Sequence, residues 1–270
     1  MVLNVFADNL AWLWDIIAMI IALVILLLVV KINGRIQKSG KLPTYITRKI
    51  IHIVVAPIFL LTWFLYTGKS FSRYIAMIVP LLFVVQFTAI GTGIMKDEDS
   101  VRGMSRTGDP KELLKGTLFY SIVIVAVTVC WFYIPTGGPH LSEGNPAAFV
   151  IIGCLAGGDG LADIIGRKFG GEKKFGVGGA KKTVAGAIGM FFGSFIFSMG
   201  LIALFSIEIT TFNVVRLMLP VAIISFVATF VELISPPNSD NLTIPIAVIL
   251  MILLFSTVFT NWWPYQFITL

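Results

Sequence analysis

Charged residues and cysteines are both scarce in this sequence. Only 13% of its 270 residues are charged, whereas 57% are hydrophobic, and the mean hydropathy is +0.94. A soluble domain carries about a quarter charged residues, so the composition excludes an ordinary water-soluble enzyme and a disordered chain. The two cysteines, Cys130 and Cys154, lie in apolar runs, which excludes a disulfide scaffold. A polytopic membrane protein is the class that remains.

Long apolar runs occupy most of the sequence instead. A helix needs about 20 apolar residues to cross about 30 Å of hydrocarbon. Eight such runs predict one all-α transmembrane domain over residues 1–270, without a linker long enough to separate a second domain. The predicted spans are 10–30, 50–67, 74–95, 117–134, 146–165, 184–207, 214–234 and 242–260.

Basic residues are distributed unequally between the predicted loops. Seventeen of the 20 follow the first, third or fifth span, and the other three are Lys69, Arg73 and Arg216. Because short cytoplasmic loops are enriched in Lys and Arg, we expect these three loops in the cytoplasm and both termini outside. Topology alone explains the net charge of +6, so no nucleic-acid partner is expected. Membrane lipids and nucleotide phosphates are natural partners of such a face.

The first basic residue is Lys31. A signal peptide begins with a positively charged region and a transit peptide is rich in Arg, so neither type of targeting segment is expected before the first span. We therefore expect a permanent first helix and a prokaryotic cell membrane rather than an organelle.

Ionisable residues within the spans gather at the predicted cytoplasmic end. Such groups are costly in a membrane and are functional hypotheses by default. Asp15, in the first span, is the exception, and the sequence offers no account of it beyond its closeness to the outer surface. The residues that predict a polar cytoplasmic site are His52, Asp159, Asp163, Glu232 and Asp240.

The segment from Gly157 to Gly186 is the most polar part of this predicted site. Asp159 and Asp163 are four residues apart on one helix face, so they can share a hard cation such as Mg²⁺. Nearby glycines allow close backbone approach, and lysines can meet phosphates, so residues 157–186 have the parts of a nucleotide site. Three alternatives stay open. The glycines can serve helix packing, the lysines can reflect only the enrichment of basic residues in cytoplasmic loops, and the acids can form ion pairs with Arg167.

Four blocks of polar and small residues follow one another along the sequence. They are Arg48-Lys-Ile-Ile-His52, the stretch from Arg106 through Glu112 to Tyr120, the segment from Gly158 to Gly186, and the stretch from Glu232 to Pro245. In this order they resemble the membrane polyprenol kinases, a family that includes phytol and dolichol kinases. More distantly, the chain is similar to phosphatidate cytidylyltransferases. Two departures from the family pattern are Thr117, where Pro is usual, and Thr183-Val184, where Ser-Trp is common.

The resemblance implies that a long-chain isoprenoid alcohol such as phytol, geranylgeraniol or dolichol is phosphorylated at the cytoplasmic interface. It implies CTP (or UTP or ATP) as the donor, Mg²⁺ as the cofactor, and nucleotide binding by the third block. The nucleotide-binding residues predicted on this basis are Arg48, Arg106, Glu112, Gly158, Asp159, Gly160, Asp163, Gly166, Arg167, Lys181, Lys182 and Thr183.

Roles in phosphoryl transfer follow from the need for positioning and charge neutralisation. We expect Asp159 and Asp163 to hold Mg²⁺ on the triphosphate, while Glu232 and Asp240 bind a second metal or orient the alcohol. His52 is a candidate general base, because its ordinary pKa suits a proton acceptor at neutral pH, and Asp240 is the competing base. Lys182 completes the predicted catalytic residues as a phosphate contact.

Two other functions are alternatives. A CDP-lipid synthase would use the third block to transfer CMP to a lipid phosphate, but the other three blocks argue against it. A membrane transporter would be expected to have paired repeats and charges near the midplane of the bilayer. The sequence shows no repeat, and its acids lie near one interface.

Overall fold

The computed structural model describes residues 8–132, 145–172, 174–176, 181–207, 209, 212–237 and 239–268. Within these ranges eight helices are long and apolar enough to cross a membrane, which confirms the predicted all-α polytopic class. The loop predicted at 135–145 lies almost wholly outside the described residues. The eight spans are Asp8–Lys38, Thr44–Leu65, Ser72–Gly91, Pro110–Trp131, Ala147–Phe169, Val184–Phe205, Val214–Ile234 and Asp240–Thr257.

The spans are built from eleven α-helices in the described part of the chain, with short 3₁₀ turns at Asp8–Leu10, Thr62–Leu65 and Pro110–Leu114. The helices are α1 (Ala11–Lys38), α2 (Thr44–Leu61), α3 (Ser72–Ala76), α4 (Ile78–Gly91), α5 (Glu98–Met104), α6 (Gly116–Trp131), α7 (Ala147–Ile152), α8 (Asp159–Phe169), α9 (Val184–Phe205), α10 (Val214–Ile234) and α11 (Asp240–Thr257). We call the end where α1, α4, α8 and α10 finish the basic end, because the three basic loops lie there. Its cytoplasmic orientation stays a prediction.

The fifth span is the most enclosed of the eight. Every residue of α7 is buried, and a π-helical turn, Gly153–Gly158, joins α7 to α8. This span packs against α9, α2, α11 and α6. The approach to α9 requires glycine, because a Cβ atom on Gly158 would overlap the Ser194 side chain. Small residues are what let membrane helices approach this closely, and here they fix the helix that carries Asp159.

Apolar side chains cover the outside of the bundle as well as its core. On α9, Ile188, Phe192 and Ile196 recur every four residues and are more than half exposed. Residues four apart share one helix face, so α9 presents a continuous apolar stripe to its surroundings. This stripe is what a helix facing lipid requires.

Asp15 lies at the opposite end from the basic loops. Its side chain is fully buried and accepts hydrogen bonds from the Thr67 backbone N–H (2.7 Å), the Thr67 hydroxyl (3.1 Å) and the Ser72 hydroxyl (2.5 Å). Asp15 therefore ties α1 to the loop between the second and third spans. These contacts supply the account that the sequence lacked.

Candidate active site

A cavity of about 220 Å³ lies among α1, α2, α4, α6, α8 and α11. Along α2, Lys49 and His52 contribute to its lining near the basic end, and Val55 and Phe59 contribute to it further along the helix. The polar lining residues include Arg48, Lys49, His52, Arg106, Glu112, Lys115, Asp159, Asp240 and Asn241. The apolar ones include Leu26, Val30, Val55, Phe59, Pro80, Phe83, Phe87 and Ile124. The cavity is therefore amphipathic, with its polar end at the basic end of the bundle.

Asp159 is held at the polar end by two bases from α2. The Lys49 Nζ atom lies 2.8 Å from Asp159 Oδ2, and His52 Nε2 lies 3.0 Å from the same oxygen. Lys49 also donates to the Asp159 carbonyl at 3.3 Å. Lys49 and His52 are three residues apart, so both side chains lie on one face of α2. Asp159 Oδ1 has no hydrogen-bond partner among the described residues, which leaves this oxygen available to a ligand.

His52 is fixed by its neighbours in one orientation. Its Nε2 atom also lies 3.0 Å from the Leu155 carbonyl oxygen, so two acceptors face this nitrogen and it must carry a proton. Tyr120 donates its hydroxyl to the His52 carbonyl at 2.6 Å, and the two rings lie 4.4 Å apart. These contacts give His52 an orienting role toward Asp159. The predicted role of His52 as a general base stays a prediction.

Asp240 and Asn241 bring further oxygen atoms to the cavity from the start of α11. Asp240 Oδ1 accepts the Asn241 backbone N–H at 3.0 Å, and the other Asp240 carboxylate oxygen has no such partner in the described chain. The Asn241 side-chain amide donates to the Gly116 carbonyl at 2.9 Å, whereas its Oδ1 atom is buried without a partner among the described residues. Together with Asp159, these two residues supply oxygen donors of the kind that Mg²⁺ prefers.

No three His, Cys, Asp or Glu side chains in the described ranges are placed to hold a metal ion by themselves. Magnesium is usually bound through one or two carboxylates and takes its remaining ligands from water and substrate phosphates. Asp159, Asp240 and Asn241 line one cavity and offer oxygen atoms of the required kind, and a Mg²⁺ ion bound there stays a prediction.

Basic side chains outnumber acids at the polar end of the cavity. Glu112, one of the acids there, accepts hydrogen bonds from the Ser105 hydroxyl (2.8 Å), the Thr107 hydroxyl (3.1 Å) and the Arg106 backbone N–H. Glu112 thus shapes the loop that brings Arg106 to the cavity. The predicted residues Arg48, Arg106 and Glu112 do come together, in surroundings that favour phosphate groups.

Asp163 does not line the cavity with Asp159. Its Oδ1 atom accepts a hydrogen bond from Arg167 Nε at 2.7 Å, and its Oδ2 atom lies 3.9 Å from Arg48. The ion pair with Arg167 is the alternative that the sequence left open for this acid. A shared metal ion between Asp159 and Asp163 stays a prediction.

Lys182 and Glu232 form an ion pair that also lies outside the cavity lining. Burial lowers the pKa of Lys182, but the Glu232 carboxylate outweighs this effect and raises that pKa above its ordinary value. Thr183 caps α9 by accepting the Gly186 N–H at 3.0 Å, while Lys181 is exposed. Their predicted contacts with nucleotide or metal stay predictions, and residues 173 and 177–180 of that segment lie outside the described residues.

The three glycines of the predicted nucleotide site pack against other parts of the bundle. A Cβ atom on Gly158 would overlap Ser194, one on Gly160 would overlap Ile53, and one on Gly166 would lie 3.0 Å from the Thr183 hydroxyl. Helix packing, the alternative left open by the sequence, accounts for glycine at each position. Their contact with a nucleotide stays a prediction.

Six polar lining residues were not among the predicted site residues. Lys49 and Asn241 are adjacent in sequence to predicted residues, and Lys49 shares the helix face of His52. The other four lie around the start of α6, within the second family block or directly after it, where the sequence continues as an apolar run. The six are Lys49, Lys115, Thr117, Tyr120, Ser121 and Asn241.

Comparison with known proteins places this site in a functional context. The chain is 33% identical over 243 residues to "Probable phytol kinase 3, chloroplastic" of Glycine max, covering 88% of this chain and 71% of that protein. It is 35% identical over 217 residues to "Farnesol kinase, chloroplastic" of Arabidopsis thaliana, covering 78% and 66%. It is 34% identical over 216 residues to "Probable phytol kinase 2, chloroplastic" of Oryza sativa subsp. japonica, covering 77% and 66%.

The chain thus spans about two thirds of the length of these curated relatives. Their names place them in chloroplasts and give no support to the prokaryotic membrane expected from the sequence, whereas the eight helices support a multi-pass membrane protein. No family model matches the chain. No solved structure matches it either.

Proposed function

The chain belongs to the phytol kinase family, and we propose that it transfers the γ-phosphate of a nucleoside triphosphate to a long-chain isoprenoid alcohol. CTP is the proposed donor, with UTP or ATP as substitutes, and Mg²⁺ is the proposed cofactor. The reaction would take place at the basic end of the bundle, facing the cytoplasm.

The amphipathic cavity is the observation that supports this proposal most directly. An isoprenoid alcohol has a long apolar chain and a single hydroxyl group, and the cavity has a matching division of polarity. We place the isoprenoid part of the alcohol against apolar residues such as Phe59, Phe83 and Ile124. Its hydroxyl group would lie beside Asp159 and Asp240. The donor would then arrive from water at the basic end, while the acceptor arrives from the bilayer.

Charge neutralisation is the second argument for phosphoryl transfer. Such reactions depend mainly on positioning and on cations that stabilise the phosphate oxygens. Arg48, Arg106 and Lys115 line the polar end and would contact these oxygens. Asp159, with Asn241 Oδ1, would hold the Mg²⁺ ion, which when bound neutralises charge on the phosphates. The nucleoside part is assigned to the third block by its family resemblance.

The proton of the alcohol needs an acceptor as the new bond forms. His52 Nε2 already faces two oxygen acceptors, so we assign this role to Asp240, which has a free carboxylate oxygen among the described residues. The alcohol oxygen bonds to the γ-phosphorus, the bond from that phosphorus to the bridging oxygen breaks, and the nucleoside diphosphate leaves. Lys49 and His52 hold Asp159 in place throughout.

Labelled nucleotides test the proposal on the purified full chain in detergent. Farnesol, geranylgeraniol, phytol and dolichol are each combined with CTP, UTP or ATP, in the presence of Mg²⁺ or EDTA. We expect label from γ-³²P-CTP in the lipid fraction, and no transfer with EDTA. Label from α-³²P-CTP in the lipid would instead demonstrate a CDP-lipid synthase. Absence of γ-label from every alcohol with every nucleotide would contradict the proposed kinase activity.

A further inference from the structure

A second cavity, of about 290 Å³, lies between the end of α1 and α5. It shares the wall residues Val30, Ile51 and Met104 with the first cavity, so the two are neighbours at the basic end. The Gln37 amide donates to the Arg102 carbonyl at 2.9 Å, which holds α5 against α1. None of the residues assigned to phosphoryl transfer lines this second cavity.

Asn33 is an unsatisfied polar side chain in the wall of this second cavity. It is only 2% exposed, yet neither its Nδ2 nor its Oδ1 atom has a hydrogen-bond partner in the described part of the chain. A buried amide without partners costs free energy, and such groups are rare enough to require an explanation. The Asn33 amide thus offers its NH₂ group as a donor and its carbonyl oxygen as an acceptor to a ligand.

Basic side chains outnumber acidic ones in the lining around Asn33, and both acids have partners. Asp97 caps α5 by accepting the Ser100 N–H at 3.0 Å and the Ser100 hydroxyl at 2.6 Å. Asp99 pairs with Lys38 at 2.7 Å. The cavity-lining cations without an ion pair among the described residues are Lys31, Arg35 and Arg102.

We propose that this second cavity binds a phosphate group, which would contact Arg35 and Arg102 and accept a hydrogen bond from the Asn33 amide. Guanidinium groups bind phosphate with two parallel hydrogen bonds, and a phosphate anion accepts hydrogen bonds from an amide. The phosphate group can be part of an anionic lipid headgroup, since basic side chains at the end of a transmembrane helix attract such lipids. It can also be a free phosphate ion. This inference does not rest on the kinase activity.

Thermal unfolding of the full chain in zwitterionic detergent tests the site. The probes are short-chain phosphatidylglycerol and inorganic phosphate, with diacylglycerol of the same chain length, which has no phosphate, as the control lipid. We expect phosphatidylglycerol or inorganic phosphate to raise the unfolding midpoint by about 5 °C at saturation. A shift with inorganic phosphate identifies the free anion as sufficient, whereas a shift with phosphatidylglycerol alone identifies the lipid as the source.

Two variants and one control separate this site from general charge effects. In Arg35→Gln/Arg102→Gln we expect the apparent affinity for the active probe to fall by at least about tenfold. Asn33→Leu removes the amide and should weaken binding while keeping or raising the midpoint without ligand. Lys41→Gln removes an exposed basic residue outside the cavity and should bind as the wild type does.

Three results would overturn the proposal. One is the absence of a midpoint shift with both phosphate probes, which would leave water as the occupant beside Asn33. Another is an equal shift with diacylglycerol, which has no phosphate. The third is unchanged binding by Asn33→Leu and by the double variant, which would place the phosphate elsewhere on the basic end.

Discussion

Two buried aspartates lie near opposite ends of the second span, and their partners differ. Asp15 accepts hydrogen bonds from neutral groups, namely two hydroxyls and one backbone N–H. Asp159 is paired with Lys49 and His52 and lines the larger cavity. Both Asp15 carboxylate oxygens are engaged, whereas Asp159 keeps one oxygen without a partner among the described residues.

The comparison shows how a structural carboxylate can be separated from a candidate catalytic one in a membrane protein. Both are buried and hydrogen-bonded, so burial alone does not distinguish them. Asp159 differs from Asp15 in three features: it lines a cavity, it keeps one carboxylate oxygen available, and its partners Lys49 and His52 are basic rather than neutral. Four substitutions test whether these features also separate the consequences of losing each acid.

The largest effect is expected for Asp159→Asn. Removing this negative charge eliminates a proposed Mg²⁺ ligand, so turnover per folded molecule should fall by about 100- to 1,000-fold. The unfolding midpoint should fall as well, because the buried Lys49 loses its anion. Turnover is measured with a saturating alcohol over a Mg²⁺ titration. The matched variant Asp163→Asn should lose less, because Asp163 does not line the cavity. Equal losses in both would restore the predicted cation shared by the two acids.

Lys49→Met should mainly affect stability. It leaves Asp159 buried without its cation, and breaking a buried ion pair from one side costs about 3 kcal/mol. The double variant Lys49→Met/Asp159→Asn should recover much of this loss but remain inactive. Unfolding is monitored by tryptophan fluorescence in one detergent. Additive losses in the double variant would show that the Lys49–Asp159 contact carries no coupling energy.

Asp15→Asn tests the other side of the comparison. One carboxylate oxygen is replaced by an amide nitrogen that cannot accept from Thr67 or Ser72, so the protein should lose about 2 kcal/mol of stability. Turnover per folded molecule should stay close to wild type, as measured by the γ-label assay after correction for folded protein. A large loss of turnover at full stability would mean that cavity lining does not separate the two acids.

The smallest effect on turnover is expected for the Lys182–Glu232 ion pair, which lies outside the cavity. Since the folded-state pKa of Lys182 is raised above its ordinary value of 10.5, its stabilising contribution is present below pH 10.5 and is lost as pH rises through the folded pKa. Lys182→Met leaves the buried Glu232 carboxylate without its cation and should cost about 3 kcal/mol of stability, unchanged between pH 6 and 9. Lys181→Met, at an exposed neighbour, should have no effect. If the stability cost of Lys182→Met already disappears as the pH rises toward 9, Lys182 loses its proton too early and the raised pKa is contradicted.

The spans could be predicted because each one is a local apolar run. Their ends were harder: the first helix continues to Lys38, eight residues beyond the predicted end at 30, because a helix can extend past the hydrocarbon with basic side chains in water. The gathering of polar residues at one end was also predictable, since the alternation of spans determines the end at which each residue lies.

The pairing of particular side chains could not be predicted in this way. Lys49 and Asp159 are 110 residues apart, and their contact depends on how α2 packs against α8. The roles of the glycines depend equally on packing, since Gly158 and Gly160 face other segments rather than a loop. The order of segments in the bundle sets these contacts, and hydropathy contains no information about that order.

The π-helical turn at Gly153–Gly158 determines the direction in which Asp159 points. A π turn holds one residue more than the α-helical turn it replaces, and one residue corresponds to a rotation of about 100°. Deleting a single codon here would restore an ordinary helix and rotate Asp159 relative to α7. The carboxylate would then face away from Lys49 and His52, although every transmembrane segment would remain. One additional residue in this turn thus separates a helix that carries a site from one that only crosses the membrane.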